Sequence, residues 1–311
     1  MSFEFIIPEV VNPDGVDGSP HARAVDAKSE NDRVDKAATN QGRPMVDFQG
    51  TSNPYIDYES IDLLLSLQHP RSEGYDEMCF IIMGQAKELL FKSLYYELYN
   101  LQLRLKADDL ANAFVILNRS KKLIKLISSV WEVLSTIRAD GFKQFRDYLG
   151  VASGQLSFMY RHIEFILGNK NQDMCDAHRN VPHVYPALLK NFSSPSLYDD
   201  VIKLLHRRGY PVAPECLDRD WTEPYQLQPS VEKAWLDIYS DPTSGNLLYM
   251  LGEDLTEIAD LFSQYRHRHF VTVERILGFK PGSGGSDGVG WLRQAVDHRF
   301  FPELWSIRTE L

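Results

Sequence analysis

A histidine, His269, lies in the last long apolar segment of the chain, at a spacing that could place it on a buried helix face. Six residues recur there at intervals of three and four, which puts them on one stripe of a helix: Ile258, Phe262, Tyr265, His269, Val273 and Ile276. A neutral imidazole on such a face is what a haem iron needs as its proximal ligand, while the second ring nitrogen donates to an acceptor. A core histidine satisfied by a hydrogen bond has the same spacing, and the pattern alone favours that plainer interpretation.

A glycine-rich loop follows this segment. Six of the chain's 19 glycines lie between residues 278 and 290. Such a loop allows the backbone to approach a ligand closely and leaves N–H groups free to bind it. It lacks the terminal Gly-Lys-Ser/Thr of a phosphate-binding loop, and no predicted strand precedes it. The loop is therefore either a flexible linker or a segment that closes over a bound ligand.

A third candidate, Arg146, lies between Phe145 and Tyr148. An arginine beside aromatic rings can pair bidentately with the carboxylate of a substrate. The adjacent Asp147 offers a plainer partner on the protein surface, and the pattern alone favours that salt bridge.

The elements that must position these residues are helices. Apolar residues recur every three or four positions over residues 80–106, 109–138, 157–167 and 254–277, and shorter helical pieces cover 195–207 and 229–239. Segments of this length and period predict long amphipathic helices that pack on one another, so the fold class is all-α, a helical bundle. Residues 1–50 are rich in Asp, Asn, Gly and Ala and predict an extended or mobile N-terminal arm, whereas residues 51–311 predict a single helical domain.

Composition narrows the class of protein. The chain has 311 residues, of which 43% are hydrophobic and 24% charged, as in an ordinary globular protein with a sizeable core. Its net charge of −10 argues against nucleic acid as a partner. No apolar run approaches the ~18 to 20 residues that span a membrane. Three widely spaced cysteines without a Cys-x-x-Cys motif predict a reduced, cytoplasmic protein.

Taken together, these segments resemble the tryptophan 2,3-dioxygenase family of haem-dependent aromatic oxygenases. The most specific part runs from Arg266 and His269 through the glycine-rich loop to Phe300-Phe301-Pro302-Glu303-Leu304. The stretches 145–170 and 76–92 also match, and Tyr55-x-x-Tyr58 and Asp220-Trp221 match more weakly. The resemblance covers residues 53–311.

The resemblance implies an all-helical bundle that encloses haem b, usually assembled as a homotetramer in which N-terminal segments reach a neighbour's active site. It implies an enzyme that inserts O2 into the indole C2–C3 bond of L-tryptophan to give N-formylkynurenine. The expected partners are thus a small aromatic amino acid and other copies of the chain, without nucleic acid or membrane.

Carried over by the same resemblance, His269 is the proximal ligand of the haem iron and Arg146 binds the substrate carboxylate. Ser283 falls where the family has a threonine that contacts the substrate ammonium group, and it keeps the hydroxyl. Gly282 belongs to the same loop, which helps to fix the amino-acid head. Phe80 and Tyr55 are expected to line the aromatic pocket.

The departures from the family are concentrated on the distal side. Where the family has its distal histidine, this chain has Gly84, so no side chain there can hydrogen-bond the indole N–H or bound oxygen. Phe142 replaces a tyrosine, which removes one hydrogen bond to the substrate carboxylate. These changes make a substituted tryptophan a candidate substrate beside L-tryptophan, and they make transfer of one oxygen atom a candidate outcome beside transfer of two.

Other interpretations stay open at this point. One is a peroxide-driven haem hydroxylase of another aromatic amino acid. Another is a haem-binding protein without turnover, and a third is a helical interaction protein that has lost its haem. The persistence of His269, Arg146 and Ser283 argues against the last of these.

Overall fold

The computed structural model describes residues 6–11, 23, 27–45 and 53–311, and within them the secondary structure is entirely helical. The chain divides into two compact units, one formed by residues 13–69 and the other by residues 1–12 and 70–311. The prediction of an all-α fold is confirmed. None of the helices in the described part of the chain is long and apolar enough to cross a membrane.

The unit of residues 13–69 contains three helices in its described part: α1 (Glu30–Thr39), α2 (Pro54–Glu59) and α3 (Ile61–Leu65). A capping box starts α1, because the Ser29 hydroxyl accepts from the backbone of Asp32 while the Asp32 carboxylate accepts from the backbone of Ser29. Much of the predicted N-terminal arm, namely residues 1–5, 12–22, 24–26 and 46–50, lies outside the described residues, and the boundary predicted at residue 50 stays a prediction.

The larger unit holds eleven α-helices and four short 3-10 helices, all within its described residues. The α-helices are α4 (Tyr75–Lys106), α5 (Leu110–Leu134), α6 (Ala139–Phe145), α7 (Phe158–Leu167), α8 (Gln172–Asp176), α9 (Tyr185–Phe192), α10 (Leu197–Arg207), α11 (Pro229–Tyr239), α12 (Leu247–Leu277), α13 (Val289–Asp297) and α14 (Pro302–Ser306). The 3-10 helices are Arg146–Leu149, Gly154–Leu156, Pro214–Cys216 and Ile307–Thr309.

Three long helices form the centre of this unit, because their apolar residues recur at helical spacing and meet in one core. Helix α4 packs extensively on α5, and α5 packs on α12. Leu94, Leu98, Leu101 and Leu105 of α4 are completely buried, as are Ile116 and Leu117 of α5 and Leu251, Leu255 and Ile258 of α12. Helix α7 packs across α4 and brings polar residues toward the same core.

The described N-terminal segment of residues 6–11 packs against this bundle. Val10 is buried in the main core. The backbone N–H of Ile6 donates to Oδ1 of Asn100 over 2.7 Å, and Nδ2 of Asn100 donates back to the Ile6 carbonyl over 2.7 Å. This paired contact fixes the segment on α4.

Candidate active site

A cavity of about 720 Å³ opens inside the larger unit, between α4, α5, α7, α12, α13 and the glycine-rich loop. Its volume is that of an ordinary cofactor or ligand site, and most of its wall is apolar. The predicted site residues on this wall are Phe80, Gly84, Phe142, His269, Gly282 and Ser283. Residues far apart in the sequence therefore meet at one place.

His269 lies on the cavity wall contributed by α12. Its ring stacks on the indole of Trp131, with ring centroids 4.2 Å apart and an interplanar angle of 15°. Burial lowers the pKa of His269 to about 3, and the positive charge of Lys87 acts in the same direction. The imidazole is consequently neutral at pH 7, as a metal ligand must be. No side chain or carbonyl of the described residues forms a hydrogen bond with this ring.

Lys87 of α4 reaches the other ring in this stack. Its Nζ lies 4.0 Å from the centroid of the Trp131 indole, within cation–π distance. Burial lowers the pKa of Lys87 to about 8, although the neighbouring Glu88 carboxyl opposes the shift. Burial also raises the pKa of Glu88, whose Oε2 has no hydrogen-bond partner among the described residues.

A buried ion network forms the cavity wall contributed by α7 and α12. Glu164 pairs with Arg161 on its own helix and accepts from Nη2 of Arg266 over 3.1 Å. The Arg266 guanidinium also donates to the Tyr160 hydroxyl and to the His298 carbonyl. Two guanidinium groups thus share one carboxylate, so the network contributes net positive charge to the cavity.

Gly84 leaves the cavity open on the α4 side. A methyl group built on its Cα would meet no atom within 4 Å. Aromatic rings line the wall nearby: the Phe80 ring lies 5.3 Å from Phe145 and 6.0 Å from Phe142, centroid to centroid. No neighbouring side chain therefore fills the space that a side chain at position 84 would occupy.

The glycine-rich loop is folded into a tight turn at the cavity. The N–H of Gly282 donates to the Ser286 carbonyl over 3.1 Å, and the N–H of Gly285 donates to the Gly282 carbonyl over 3.1 Å. Gly288 has a φ of +64°, and a side chain there would collide with the Lys280 carbonyl at 2.7 Å. The backbone conformation of this turn thus requires glycine at position 288.

Arg146 is absent from the cavity wall among the described residues. Its Nη2 donates to the Pro281 carbonyl over 2.7 Å, which ties the 3-10 helix of residues 146–149 to the glycine-rich loop. The alternative salt bridge with Asp147 is not formed among the described residues. The contact of Arg146 with a substrate carboxylate stays a prediction. Tyr55 belongs to the other unit, where it lies near the start of α2 and is 62% exposed.

Comparison with known proteins identifies the family. A family model described as tryptophan 2,3-dioxygenase matches residues 39–187 and 187–311. The chain belongs to the tryptophan 2,3-dioxygenase family. A protein named tryptophan 2,3-dioxygenase from Burkholderia pseudomallei (strain 1106a) is 42% identical over 307 residues, which cover 97% of this chain and 100% of the relative. The protein of that name from Burkholderia mallei (strain SAVP1) shows the same identity and coverage. As a tryptophan 2,3-dioxygenase family member, the chain is an oxidoreductase, and the cavity is its candidate active site.

Sequence reasoning missed several residues of this wall: Lys87, Trp131, Arg161, Glu164 and Arg266. Lys87 lies three residues after Gly84, so one helical turn places the two side by side. A lysine on a cavity-facing helical stripe was therefore a signal in the sequence. The contact of Arg266 with Glu164 spans 102 residues and had no such local signal.

Proposed function

We propose that the chain is a haem-dependent oxygenase that acts on the indole ring of L-tryptophan or a substituted tryptophan. The reaction adds O2 at C2 and C3 and opens the ring to an N-formylkynurenine-type product. The observation that carries the proposal is the neutral imidazole of His269 on the wall of a large, mostly apolar cavity. In a member of this family, that arrangement favours a role of His269 as a haem ligand over a purely structural role in the core.

The residues of the cavity fit this cofactor. His269 would hold the iron, because its ring is neutral and makes no competing hydrogen bond within the described residues. The apolar wall accepts a flat macrocycle, and the cationic side chains suit its carboxylates. When bound, the haem supplies the binding and activation of O2.

The chain's own residues would orient the substrate and exclude water. The apolar cavity accepts the indole ring, and Ser283 offers a hydroxyl to the amino-acid head. The Nη2 of Arg146 donates to the Pro281 carbonyl, and the remaining N–H groups of the guanidinium are available to a substrate carboxylate bound beside the glycine-rich loop. Such positioning lowers the barrier by removing the entropy cost of a productive encounter.

The open space at Gly84 supports the finer part of the proposal. It can hold a methyl or similar group on the substrate that a distal side chain would exclude. The reaction could also end after transfer of one oxygen atom, provided that a two-electron reductant from outside the protein, together with two protons, converts the second oxygen atom to water. A substituted tryptophan and a one-atom product are therefore included in the proposal.

Product analysis with oxygen-18-labelled O2 tests the proposal. The haem-loaded, reduced protein is incubated with L-tryptophan and, separately, with methyl-substituted tryptophans, each with and without an excess of a two-electron reductant. The masses of the products are determined by mass spectrometry. Two labelled atoms in a ring-opened product support dioxygenation, and one labelled atom supports the one-atom outcome. No labelled product from any indole substrate, in protein that carries haem, would refute the proposed activity.

The assembly and location implied by the resemblance belong to the same proposal. We expect a cytoplasmic homotetramer, and light scattering on the eluted protein should then give four times the chain mass. A monomer at working concentration would contradict this part alone.

A further inference from the structure

The ammonium group of Lys87 lies in the wall of the cavity without a carboxylate partner. No Asp or Glu oxygen of the described residues lies within 4.0 Å of its Nζ. The Nζ instead contacts the face of the Trp131 indole. Glu88, the next residue on α4, does not form an ion pair with it. A charge in mostly apolar surroundings is costly unless something compensates it.

Two other lysines with buried or half-buried side chains are paired with acceptors of the protein. Lys170 is 2% exposed, and its Nζ donates to the carbonyls of Asn191, Phe192 and Ser194 at 2.9–3.0 Å. Lys121 pairs with carboxylates of α12 at 2.7 and 2.9 Å. A third, the half-buried Lys203, also lies over an indole, 4.4 Å from the Trp221 centroid, but it is not on the cavity wall. Lys87 differs from Lys170 and Lys121 because no carboxylate or carbonyl of the described residues accepts from its ammonium group, and it differs from Lys203 because it lies on the cavity wall.

The surrounding charge points to the chemistry of that partner. The network of Arg161, Arg266 and Glu164 on the same cavity already has an excess of positive charge. Arg146, the predicted carboxylate ligand, is bound to the loop carbonyl. Lys87 is therefore the cation of the cavity wall that no protein carboxylate or carbonyl engages, within the described residues.

We propose that Lys87 binds a carboxylate of the ligand that occupies the cavity. This inference rests on the proposed function, in which two ligands carry a carboxylate: the amino-acid substrate and, through its propionates, the haem. The group recognised is the same in both cases, and the experiment separates the two sources.

Two variants and a control define the test. Lys87→Met keeps most of the length of the side chain and removes the charge, whereas Lys87→Arg keeps the charge. Lys92→Met removes one charge from an exposed position of the same helix. Because Lys87→Met removes an uncompensated charge, its melting temperature without ligand should equal or exceed that of the wild type. A purely structural lysine would give the opposite result.

Binding is measured by absorption in two series. The apoprotein is titrated with haem and with haem dimethyl ester, and the haem-loaded protein is titrated with L-tryptophan and with tryptamine, which lacks the carboxylate. Lys87→Met should raise the Kd of haem or of tryptophan roughly tenfold or more, since the lost interaction is charge-assisted. The corresponding ester or amine should bind the variant and the wild type equally, and Lys87→Arg should restore most of the affinity.

The two sources give different patterns. A loss confined to haem assigns Lys87 to a propionate, and a loss confined to tryptophan assigns it to the substrate. Unchanged affinity for both acids, or equal losses for the acids and their uncharged counterparts, overturns the inference. If the wild type binds no haem, the proposed function fails, and calorimetric titration of the apoprotein with tryptophan and tryptamine then decides the role of Lys87 by the same criterion.

Discussion

Two glycines inside long helices, Gly84 and Gly252, should respond in opposite ways to the same substitution. Gly84 lies in the middle of α4, and a methyl group on its Cα meets no atom within 4 Å. Alanine in a helix interior is favoured over glycine by about 1 kcal/mol, because glycine loses more backbone entropy on folding. Gly84→Ala should therefore stabilise the protein by up to about 1 kcal/mol.

Gly252 lies in α12, and the same methyl group would lie 2.8 Å from the Tyr239 hydroxyl and 3.0 Å from Cζ3 of Trp235. Trp235 is completely buried and Tyr239 nearly so, which leaves neither ring room to move. Overpacking of this kind costs about 1–3 kcal/mol and offsets the gain in helix propensity. Gly252→Ala should be neutral to destabilising by about 2 kcal/mol.

The melting temperatures of the two variants and of the wild type, measured by thermal unfolding, test this difference in stability. A change of 1 kcal/mol corresponds to about 2–4 °C in domains of 150–250 residues. Gly84→Ala should melt higher than Gly252→Ala by several degrees and no lower than the wild type. A lower melting temperature for Gly84→Ala would show that the space beside Gly84 is not open, and would remove the argument for a larger substrate.

Further predictions concern polar groups around the cavity. Glu164→Gln leaves two buried arginines without their shared carboxylate and should reduce the free energy of unfolding by about 3–5 kcal/mol, measured in urea. Burial lowers the pKa of His162 to about 4, so protonation favours the unfolded state; its stabilising contribution is complete above about pH 6.5 and is lost toward pH 4. The wild type should thus lose about 1 kcal/mol more than His162→Gln between pH 7.5 and 5.5. Arg146→Ala removes the tie to the glycine-rich loop, so chymotrypsin should cut faster at the 91%-exposed Phe279 while haem affinity stays unchanged.

The helices and the face of His269 were predictable from the sequence, because both depend on local periodicity. The predicted segment 229–239 coincides with α11, and the predicted segment 157–167 differs from α7 by one residue. The second half of the stripe, which contains His269, faces the cavity, and its first half is buried in the core. Short-range spacing determines these features, so no knowledge of tertiary packing was needed.

Contacts between distant parts of the chain could not be predicted in the same way. Arg146 meets Pro281 across 135 residues, and neither side of that bond carries a periodic signal. The pairing of Arg161 with Glu164 follows from their spacing on one helix, but the second arginine, Arg266, comes from α12. Packing of the helices decides which charges meet.

The proposed function depends on ligation of the haem iron by His269, and absorption spectroscopy of His269→Ala tests that ligation. The purified wild type and the variant are each supplied with haem, reduced with dithionite and exposed to CO, with and without added imidazole. We expect stoichiometric haem with a histidine-ligated CO spectrum in the wild type, loss of bound haem in His269→Ala, and partial recovery with imidazole. Full haem occupancy and an unchanged spectrum in the variant without imidazole would contradict this expectation.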